Sequence, residues 1–421
     1  MKKIFAALIV VVLALTSVFA LVACGEKTET ELAIENAQTM TLAELEAASK
    51  AEMEANPSYV FNADSLTSGI EKALKKFAEK YDWITYGENA KYNSKKGAEY
   101  QPVLTAASKS GEYLTDFVMV QDANFVAGLA NKGFLLSYVP EGEGISIAES
   151  DQKPLVGVTF NKVFMYNNKT VGADQLQNVW QLTGEDGLTL KGIDKVSYQS
   201  PLGEDINMNF LIMLTEDDAV AKLTAAYKSY FGKDYVKNSA YKNIGYEFVA
   251  KFISNVEYWH SSDSTEIKNI NSAPNTDGRV IFAGLCKLKD APCYKEAQPE
   301  DDDYYTKIIS AAGWNQNVAG FPGFVYNMWT LIPSSARLPY TACLFVRYLL
   351  SNEGYQAGWG KVLGYYSANQ LIPSVAGDPA LSVWKASAIV EDVDYISRNY
   401  KSLYKFIVKQ LNLAGIDTEG K

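Results

Sequence analysis

The sequence predicts an α/β protein of two domains or one large two-lobed body, and three observations indicate this. The chain has 421 residues, whereas a single hydrophobic core stops growing at roughly 250 to 300 residues. Hydrophobic residues make up 48% of the chain and charged residues 21%, a balance that permits large cores and excludes a mainly disordered or collagen-like protein. Short apolar runs alternate with helical patterns, which is typical of mainly parallel sheets flanked by helices.

Charge and residue usage exclude several function classes. The chain has 39 basic and 49 acidic residues and a net charge of −10, whereas nucleic-acid binding requires a basic face. One histidine and four cysteines leave little material for a zinc site or for a histidine-based catalytic triad. We therefore expect no nucleic-acid partner, no metal site, no cofactor and no enzymatic activity.

The amino terminus has the pattern of an export signal. Lys2 and Lys3 precede an apolar run over residues 4–20, which predicts a signal peptide over residues 1–23. The run ends in the letters LVAC, a segment that resembles the bacterial lipobox, with Cys24 as the lipidated mature amino terminus. We expect an exported protein held by lipid on the outer face of the bacterial cell membrane. The alternative is an ordinary signal peptide that happens to contain a cysteine.

The other cysteines are interpreted by their spacing and surroundings. Cys286 and Cys293 are separated by a short segment and could form a local disulfide in an oxidising compartment. Cys343 lies in the apolar run 341–350, so we expect a small buried residue there.

The first half of the mature chain predicts alternating helices and strands. Residues 24–40 are rich in Glu, Thr and Ala without sustained apolar periodicity, which predicts a lipidated, solvated tether. The pattern then predicts a helix from residue 41, a strand over 59–62, a turn over 63–69, a helix over 70–81 capped by Thr67 or Ser68, a helix over 100–110, a strand over 117–120, a turn over 121–123 and a helix over 124–131.

A second α/β unit follows a strand at residues 156–160. The pattern predicts strands over 195–198 and 280–283, with helices over 206–214, 217–231 and 246–255. Ligands of such sheets bind outside the carboxyl ends of the strands. The turns at 63–69 and 121–123 are therefore candidate binding loops.

In their order along the chain, these segments resemble extracellular solute-binding proteins of ABC importers. The similarity is to the type II group, which includes the ferric-ion and thiamine binders. Residues 59–81 resemble its first strand, serine-containing loop and long helix, residues 116–122 its next strand and ligand-facing turn, residues 156–168 its crossover, residues 200–205 a cleft-facing loop, and residues 331–356 its return to the first lobe.

The resemblance implies two lobes joined by hinge strands that close on a small solute. It implies a monomer that delivers the solute to permease subunits in the membrane. The expected boundaries are lobe 1 at 41–158 and 319–352, lobe 2 at 159–318, and carboxyl-terminal helices at 353–421 packing on lobe 2 and the hinge.

Candidate ligand-binding residues come from both lobes. Helix capping explains each hydroxyl residue equally well, and packing explains the tryptophans at least as well. The resemblance adds the expectation that these residues converge on one cleft. The candidates are Ser65, Thr67, Ser68, Gln121 and Asp122 from lobe 1, Phe160, Asn161, Glu204, Asn207, Trp259, Ser262 and Asp263 from lobe 2, and Trp329 from the return segment.

The ligand is less well determined than the fold. The 27 tyrosines and seven tryptophans favour a carbohydrate, followed by a polyamine or a vitamin-like metabolite, and then by ferric ion. Ferric-ion binders of this group carry adjacent tyrosines after the strand that matches 280–284, whereas this chain has Leu285, Cys286 and Lys287 there. The alternative from another class is an exported lipoprotein enzyme acting on envelope polymers.

Overall fold

The structure, a computed structural model, describes residues 27–95, 97–166, 176–184, 195–271, 279–290, 313–314 and 316–416. The predictions for the signal peptide, for Cys24 and for Cys293 fall outside these residues.

The described strands form a sheet that extends through both halves of the molecule. They are β1 (Phe61–Ser65), β2 (Ala90–Ser94), β3 (Phe117–Val120), β4 (Leu135–Leu136), β5 (Val156–Tyr166), β6 (Lys195–Gln199), β7 (Val256–His260), β8 (Arg279–Gly284), β9 (Gly313–Trp314), β10 (Gly323–Pro333), β11 (Tyr365–Ser367) and β12 (Ile389–Val390).

The order of the main strands is β2-β1-β3-β10-β5-β8-β6-β7. In lobe 1, β1 pairs in parallel with β2 and β3, and in lobe 2, β6 pairs in parallel with β7 and β8. Between them, the two eleven-residue strands β5 and β10 pair antiparallel with each other and with their outer neighbours. This confirms the expected α/β fold of two lobes joined by crossing strands.

Helices cover the sheet. They are α1 (Glu29–Thr39), α2 (Leu42–Ala55), α3 (Ser68–Lys80), α4 (Gly97–Ser110), α5 (Ala123–Ala130), α6 (Asp205–Met213), α7 (Asp217–Phe231), α8 (Ile244–Asn255), α9 (Asp263–Asn271), α10 (Pro339–Leu349), α11 (Asn352–Gly358), α12 (Leu381–Ser387) and α13 (Val393–Leu413). In the part of the chain that the structure describes, none of them combines the length and apolar character that a membrane span requires.

The helix α1 corrects the prediction of a solvated tether over 24–40 for residues 29–39, which the structure describes as a helix. Thr28 caps it through a capping box with Glu31, and Ala33, Ile34 and Ala37 are buried where the helix packs against α10. Sequence periodicity missed it because small alanines provide the buried face, and they barely change the hydrophobic pattern.

Predicted and observed elements otherwise differ mainly at their ends. The strand predicted at 117–120 and the helix predicted at 217–231 agree with β3 and α7. The strand predicted at 59–62 is observed later in the chain as β1, at Phe61–Ser65, because pairing with β2 begins at Phe61. The long strand β10, the five-residue strands β2 and β7, and the short strands β4, β9, β11 and β12 were not predicted. The last helix, α13, contacts α6 and α8 of lobe 2 but also α5 of lobe 1, so it bridges the two lobes.

Candidate functional site

A cavity of about 390 Å³ lies between the two lobes, where loops from both converge on the crossing strands. Its walls are the turn after β1, the end of β3, the loops that lead into α6 and α9, and the segment after β8. The residues that line it are Leu66, Thr67, Ser68, Gln121, Phe160, Lys162, Gln199, Glu204, Ser261, Ser262, Asp263, Ser264, Cys286, Lys287, Tyr326, Met328 and Tyr365. We call this cavity the interlobe cleft.

Three aromatic rings from the crossing strands and β11 form the floor of the cleft. The ring of Phe160 stacks on Tyr326 with centroids 5.3 Å apart and meets Tyr365 edge-on at 4.7 Å. The two tyrosines come from β10 and β11, which both pair with β5 at Phe160. The floor therefore offers two phenol groups beside an apolar ring.

A buried lysine lies beside this floor. The side chain of Lys162 is 4% exposed, and its Nζ lies 3.1 Å from Asp263 Oδ2 and donates to Asn207 Oδ1 at 2.9 Å. Asp263 Oδ2 also accepts the backbone N–H of Gly284 at 2.9 Å. One carboxylate and one side-chain amide, both from lobe 2, thus hold the lysine cation at the cleft.

Lobe 1 contributes a helix amino terminus and an amide. Thr67 is the N-cap of α3 and accepts from the backbone N–H of Gly69 at 3.2 Å, while the exposed Ser68 faces the cleft. Gln121 lines the cleft from the residue after β3. These groups are hydrogen-bonding partners suited to an oxygen-rich solute.

Lobe 2 contributes charge of both signs. Burial raises the pKa of the Glu204 carboxyl, and the nearby charge of Lys162 opposes that rise. Ser262 and Asp263 lie at the start of α9, and Lys287 faces them from the segment after β8. The cleft therefore combines oxygen donors with two cationic side chains.

Seven predicted residues line the cleft and two others support it. The lining residues are Thr67, Ser68, Gln121, Phe160, Glu204, Ser262 and Asp263. Asn207 is fully buried, and besides Lys162 it bonds the Gln199 carbonyl at 2.9 Å, so it positions the lysine. Ser65 is buried beneath the turn, where its hydroxyl accepts the N–H of Thr67 at 3.2 Å.

Asn161 and the two predicted tryptophans lie away from the cleft. Asn161 follows Phe160 on a strand, so it faces the other side of the sheet, where its Nδ2 donates to the hydroxyl of Tyr366. Trp259 packs edge-on against Tyr198 at 6.1 Å, and Trp329 is 1% exposed in the core. Strand alternation and packing explain these three positions.

Asp122 also lies outside the cleft lining, at a contact between the lobes. Its two oxygens accept from the backbone N–H of Asn124 and from Gln101 Nε2, both at 3.1 Å. The same Gln101 Nε2 donates to Asp205 Oδ2 of lobe 2 at 3.2 Å. Burial, together with the charge of Asp205, raises the pKa of Asp122 to about 7.

Sequence reasoning missed the residues that determine the cleft's chemistry. These are Lys162, Lys287, Tyr326 and Tyr365. One signal was present, because Lys162 is the single charged residue in the strand VGVTFNKVFMY, and a buried lysine requires a partner. Among the described residues, no cluster of three or more carboxylate, thiol or imidazole groups could hold a metal.

Of the comparisons with known proteins, only the comparison with solved structures finds matches, and these agree with the two-lobed fold. No protein-family model matches the chain, and no curated protein sequence matches it significantly. Solved structures do match, and they give the class: the chain has the fold of the two-lobed, type II periplasmic binding proteins.

Three of these neighbours illustrate the match. A Trichodesmium protein (IdiA, FutA) described in complex with iron and citrate is 16% identical, with a TM-score of 0.56 over 83% of this chain and 99% of that one. A ferric binding protein from Campylobacter jejuni is 14% identical, with a TM-score of 0.57 over 85% and 100%. An ABC transporter substrate-binding protein from Bradyrhizobium japonicum is 13% identical, with a TM-score of 0.55 over 84% and 99%.

Proposed function

We propose that this chain is the solute-binding receptor of an ABC importer. One observation carries the proposal: loops from both lobes and the crossing strands between them line a shared polar cleft. A solute that touches both walls binds the closed form better than the open form, and this difference in affinity drives closure. Export, lipid attachment at Cys24, the monomeric state and delivery to a permease belong to the same proposal, as does the absence of catalysis.

For the ligand, we propose ferric iron carried by an anionic oxygen-donor chelator. Among the neighbours are structures described as ferric binding or as bound to iron and citrate, and they favour the iron alternative over the carbohydrate that aromatic content suggested. Phenols and carboxylates are hard donors of the kind that Fe³⁺ prefers, and the cleft supplies them as Tyr326, Tyr365, Glu204 and Asp263.

The two lysines favour a chelate over the bare ion. Lys162 and Lys287 line the same cleft as the oxygen donors, and their charge opposes an unaccompanied trivalent cation. The same charges attract the carboxylates of a chelator such as citrate. The position after β8 also holds Leu285, Cys286 and Lys287 rather than adjacent tyrosines, which agrees with a requirement for a chelator.

The test is titration of the protein with ferric citrate and, separately, with a ferric salt lacking chelator. We expect saturable binding of ferric citrate with a phenolate-to-iron absorption band, and no tight binding of the unchelated ion. Tyr326→Phe and Tyr365→Phe should each remove or shift the band and weaken binding at least tenfold. Because burial raises the pKa of Tyr326, the metal must displace its proton, so binding should strengthen as pH rises.

Tyr241→Phe is the matched control, since Tyr241 lies in a loop outside the cleft and should leave both readouts unchanged. A thermal-shift screen of sugars, polyamines and vitamins accompanies the titration. If ferric citrate has no effect and a sugar clearly raises the melting temperature, the iron proposal is rejected and the proposal of a solute-binding receptor stands. No shift from any solute would contradict both.

A further inference from the structure

A second polar cavity, of about 570 Å³, lies at the opposite end of lobe 1 from the interlobe cleft. The strands β1 and β3 end at the cleft, and this cavity lies beside the segments that lead into them. The residues that line it are Glu29, Thr30, Asn56, Tyr59, Gly111, Tyr113, Ser334, Ser335, Ala336, Arg337 and Pro339. We call it the distal pocket.

The backbone of Arg337 is firmly held in the wall of the distal pocket. Asp116 Oδ1 accepts the backbone N–H groups of Arg337 and Leu338 at 2.8 and 3.0 Å. The other oxygen of Asp116, which is fully buried, accepts the hydroxyl of Tyr113 at 2.8 Å. One carboxylate therefore fixes both the arginine backbone and the ring beside it.

The guanidinium of Arg337 lies against two aromatic rings. Its carbon is 4.0 Å from the ring centroid of Tyr113 and 5.2 Å from that of Tyr59. These contacts hold a planar cation in place by cation–π attraction. Neither ring supplies an oxygen acceptor, and Arg337 is exposed, so its N–H groups remain available.

Arg337 differs in this respect from the other arginines whose side chains are described. Arg347 donates to the carbonyl of Glu141 and Arg398 to the carbonyl of Asp394. No hydrogen bond or ion pair joins the guanidinium of Arg337 to any residue within the described ranges. The guanidinium of Arg337 therefore holds its N–H donors in place without a hydrogen-bond acceptor among those residues.

We propose that the distal pocket binds an oxyanion, specifically a phosphate group, through the N–H edge of Arg337. A guanidinium fork matches two phosphate oxygens in a bidentate pair, and Ser334 and Ser335 line the same cavity. The carboxylate of Glu29 also lines it and weakens the interaction by repulsion. The site is separate from the interlobe cleft, and only its lipid source rests on the lipid attachment proposed for Cys24.

The phosphate has two possible sources, a free solute or a lipid head group. The pocket is bordered by the first turn of α1, a few residues after Cys24. If Cys24 carries lipid, an extended chain of five residues spans at most about 18 Å, so the pocket would lie near the membrane surface. The binding chemistry is the same for both sources, and the experiment separates them.

The experiment uses the small number of arginines. The chain contains four, Arg279, Arg337, Arg347 and Arg398, so arginine-selective ¹⁵N labelling gives four side-chain Nε–H signals, and Arg337→Lys identifies one of them. None of the four lines the interlobe cleft, so phosphate bound there does not confuse the readout. One arm titrates potassium phosphate and the other titrates a short-chain phosphatidylglycerol below its micelle concentration.

We expect a saturable shift of the Arg337 signal in at least one arm, with the tighter arm identifying the source. Arg337→Lys keeps the charge and the backbone bond to Asp116 but loses the fork, so phosphate affinity should fall at least tenfold without a change in melting temperature. Glu29→Gln should strengthen binding two- to threefold. Arg398→Lys is the matched control and should leave affinity unchanged.

Two outcomes would overturn the proposal. The first is an Arg337 signal that moves no more than the Arg398 signal in both arms. The second is an equal shift with potassium chloride at matched ionic strength, which would show screening rather than a bound oxyanion.

Discussion

Lys162 places a positive charge inside a buried strand that has no other charged residue and crosses between the lobes. Burying such a charge is unfavourable unless it is paired and hydrogen-bonded, and here Asp263 and Asn207 provide both conditions. A buried ion pair adds little net stability compared with apolar residues of the same size. Its position at the cleft agrees with a role in binding, because a fixed cation selects for anionic groups.

Gly69 shows how a single missing methyl group permits a contact. A Cβ built on Gly69 would lie 2.3 Å from Nε1 of Trp359, an indole that is 3% exposed. The amino terminus of α3, which borders the cleft, therefore packs directly against the ring. Trp359 is a packing residue here.

We expect Gly69→Ala to destabilise the protein by about 1–3 kcal/mol, since the buried indole must move to admit the methyl group. Gly128→Ala is the matched control, because that helical glycine has open space around its Cβ position and should gain up to about 1 kcal/mol. Urea unfolding of both variants measures the two free energies. Equal effects of the same sign would contradict the packing argument.

At the scale of elements, α1 shows that an acidic, alanine-rich segment can be part of the fold. Thr28 and Glu31 form its capping box, and the hydroxyl of Thr30 donates to the carbonyl of Ala336 at 3.2 Å. The capping box stabilises the start of the helix, and the bond from Thr30 attaches the helix to the segment that follows β10.

A pair of substitutions in α1 distinguishes a packed helix from a tether. Ala37 is 1% exposed and Leu32 is 48% exposed. Ala37→Asp buries an unpaired charge and should lower the free energy of unfolding by about 3 kcal/mol, whereas Leu32→Asp should change it by less than about 1 kcal/mol. Chemical denaturation gives both values. A solvated tether would tolerate the two changes equally.

At the scale of the whole molecule, Gln101 links the lobes through two carboxylates. Its Nε2 lies 3.1 Å from Asp122 of lobe 1 and 3.2 Å from Asp205 of lobe 2. Because burial and the Asp205 charge raise the pKa of Asp122 to about 7, ionising Asp122 costs stability in the folded protein. This cost is absent below the ordinary pKa of an aspartate, develops as pH rises, and is complete above about pH 7.

We therefore expect Asp122→Asn to stabilise the protein more at pH 8 than at pH 4, with a difference on the order of 2 kcal/mol. Asparagine keeps the oxygen that accepts the N–H of Asn124 and tolerates the positive φ of 87° at this residue. Unfolding of both proteins across this pH range measures the difference. Buried carboxyls that do not interact with Asp122 cancel because both proteins contain them, whereas the measured difference includes any change in the titration of Asp205, whose charge acts on Asp122. A gain that is independent of pH would show that Asp122 is already ionised without cost.

The sequence by itself determined the alternation of strands and helices, and with it the α/β class and two lobes. Local periodicity and capping are properties of neighbouring residues, so β3, α7 and the cap at Thr67 were predictable. The loops after β1 and β3 could also be named as candidate binding loops, because parallel strands present their carboxyl ends at one edge of the sheet.

Only the tertiary structure decided which side chains meet in the cleft. Phe160 and Lys162 face the cleft and Asn161 does not, because successive side chains of a strand point to opposite faces of the sheet. Pairing with β10 determines which of these faces lines the cleft. Tyr326 and Tyr365 lie far from Phe160 in sequence and reach it through two different antiparallel partners. Arg337 meets Tyr59 and Tyr113 in the same way, through contacts between distant segments. Such pairings depend on long-range packing, which leaves no periodic signal in a single sequence.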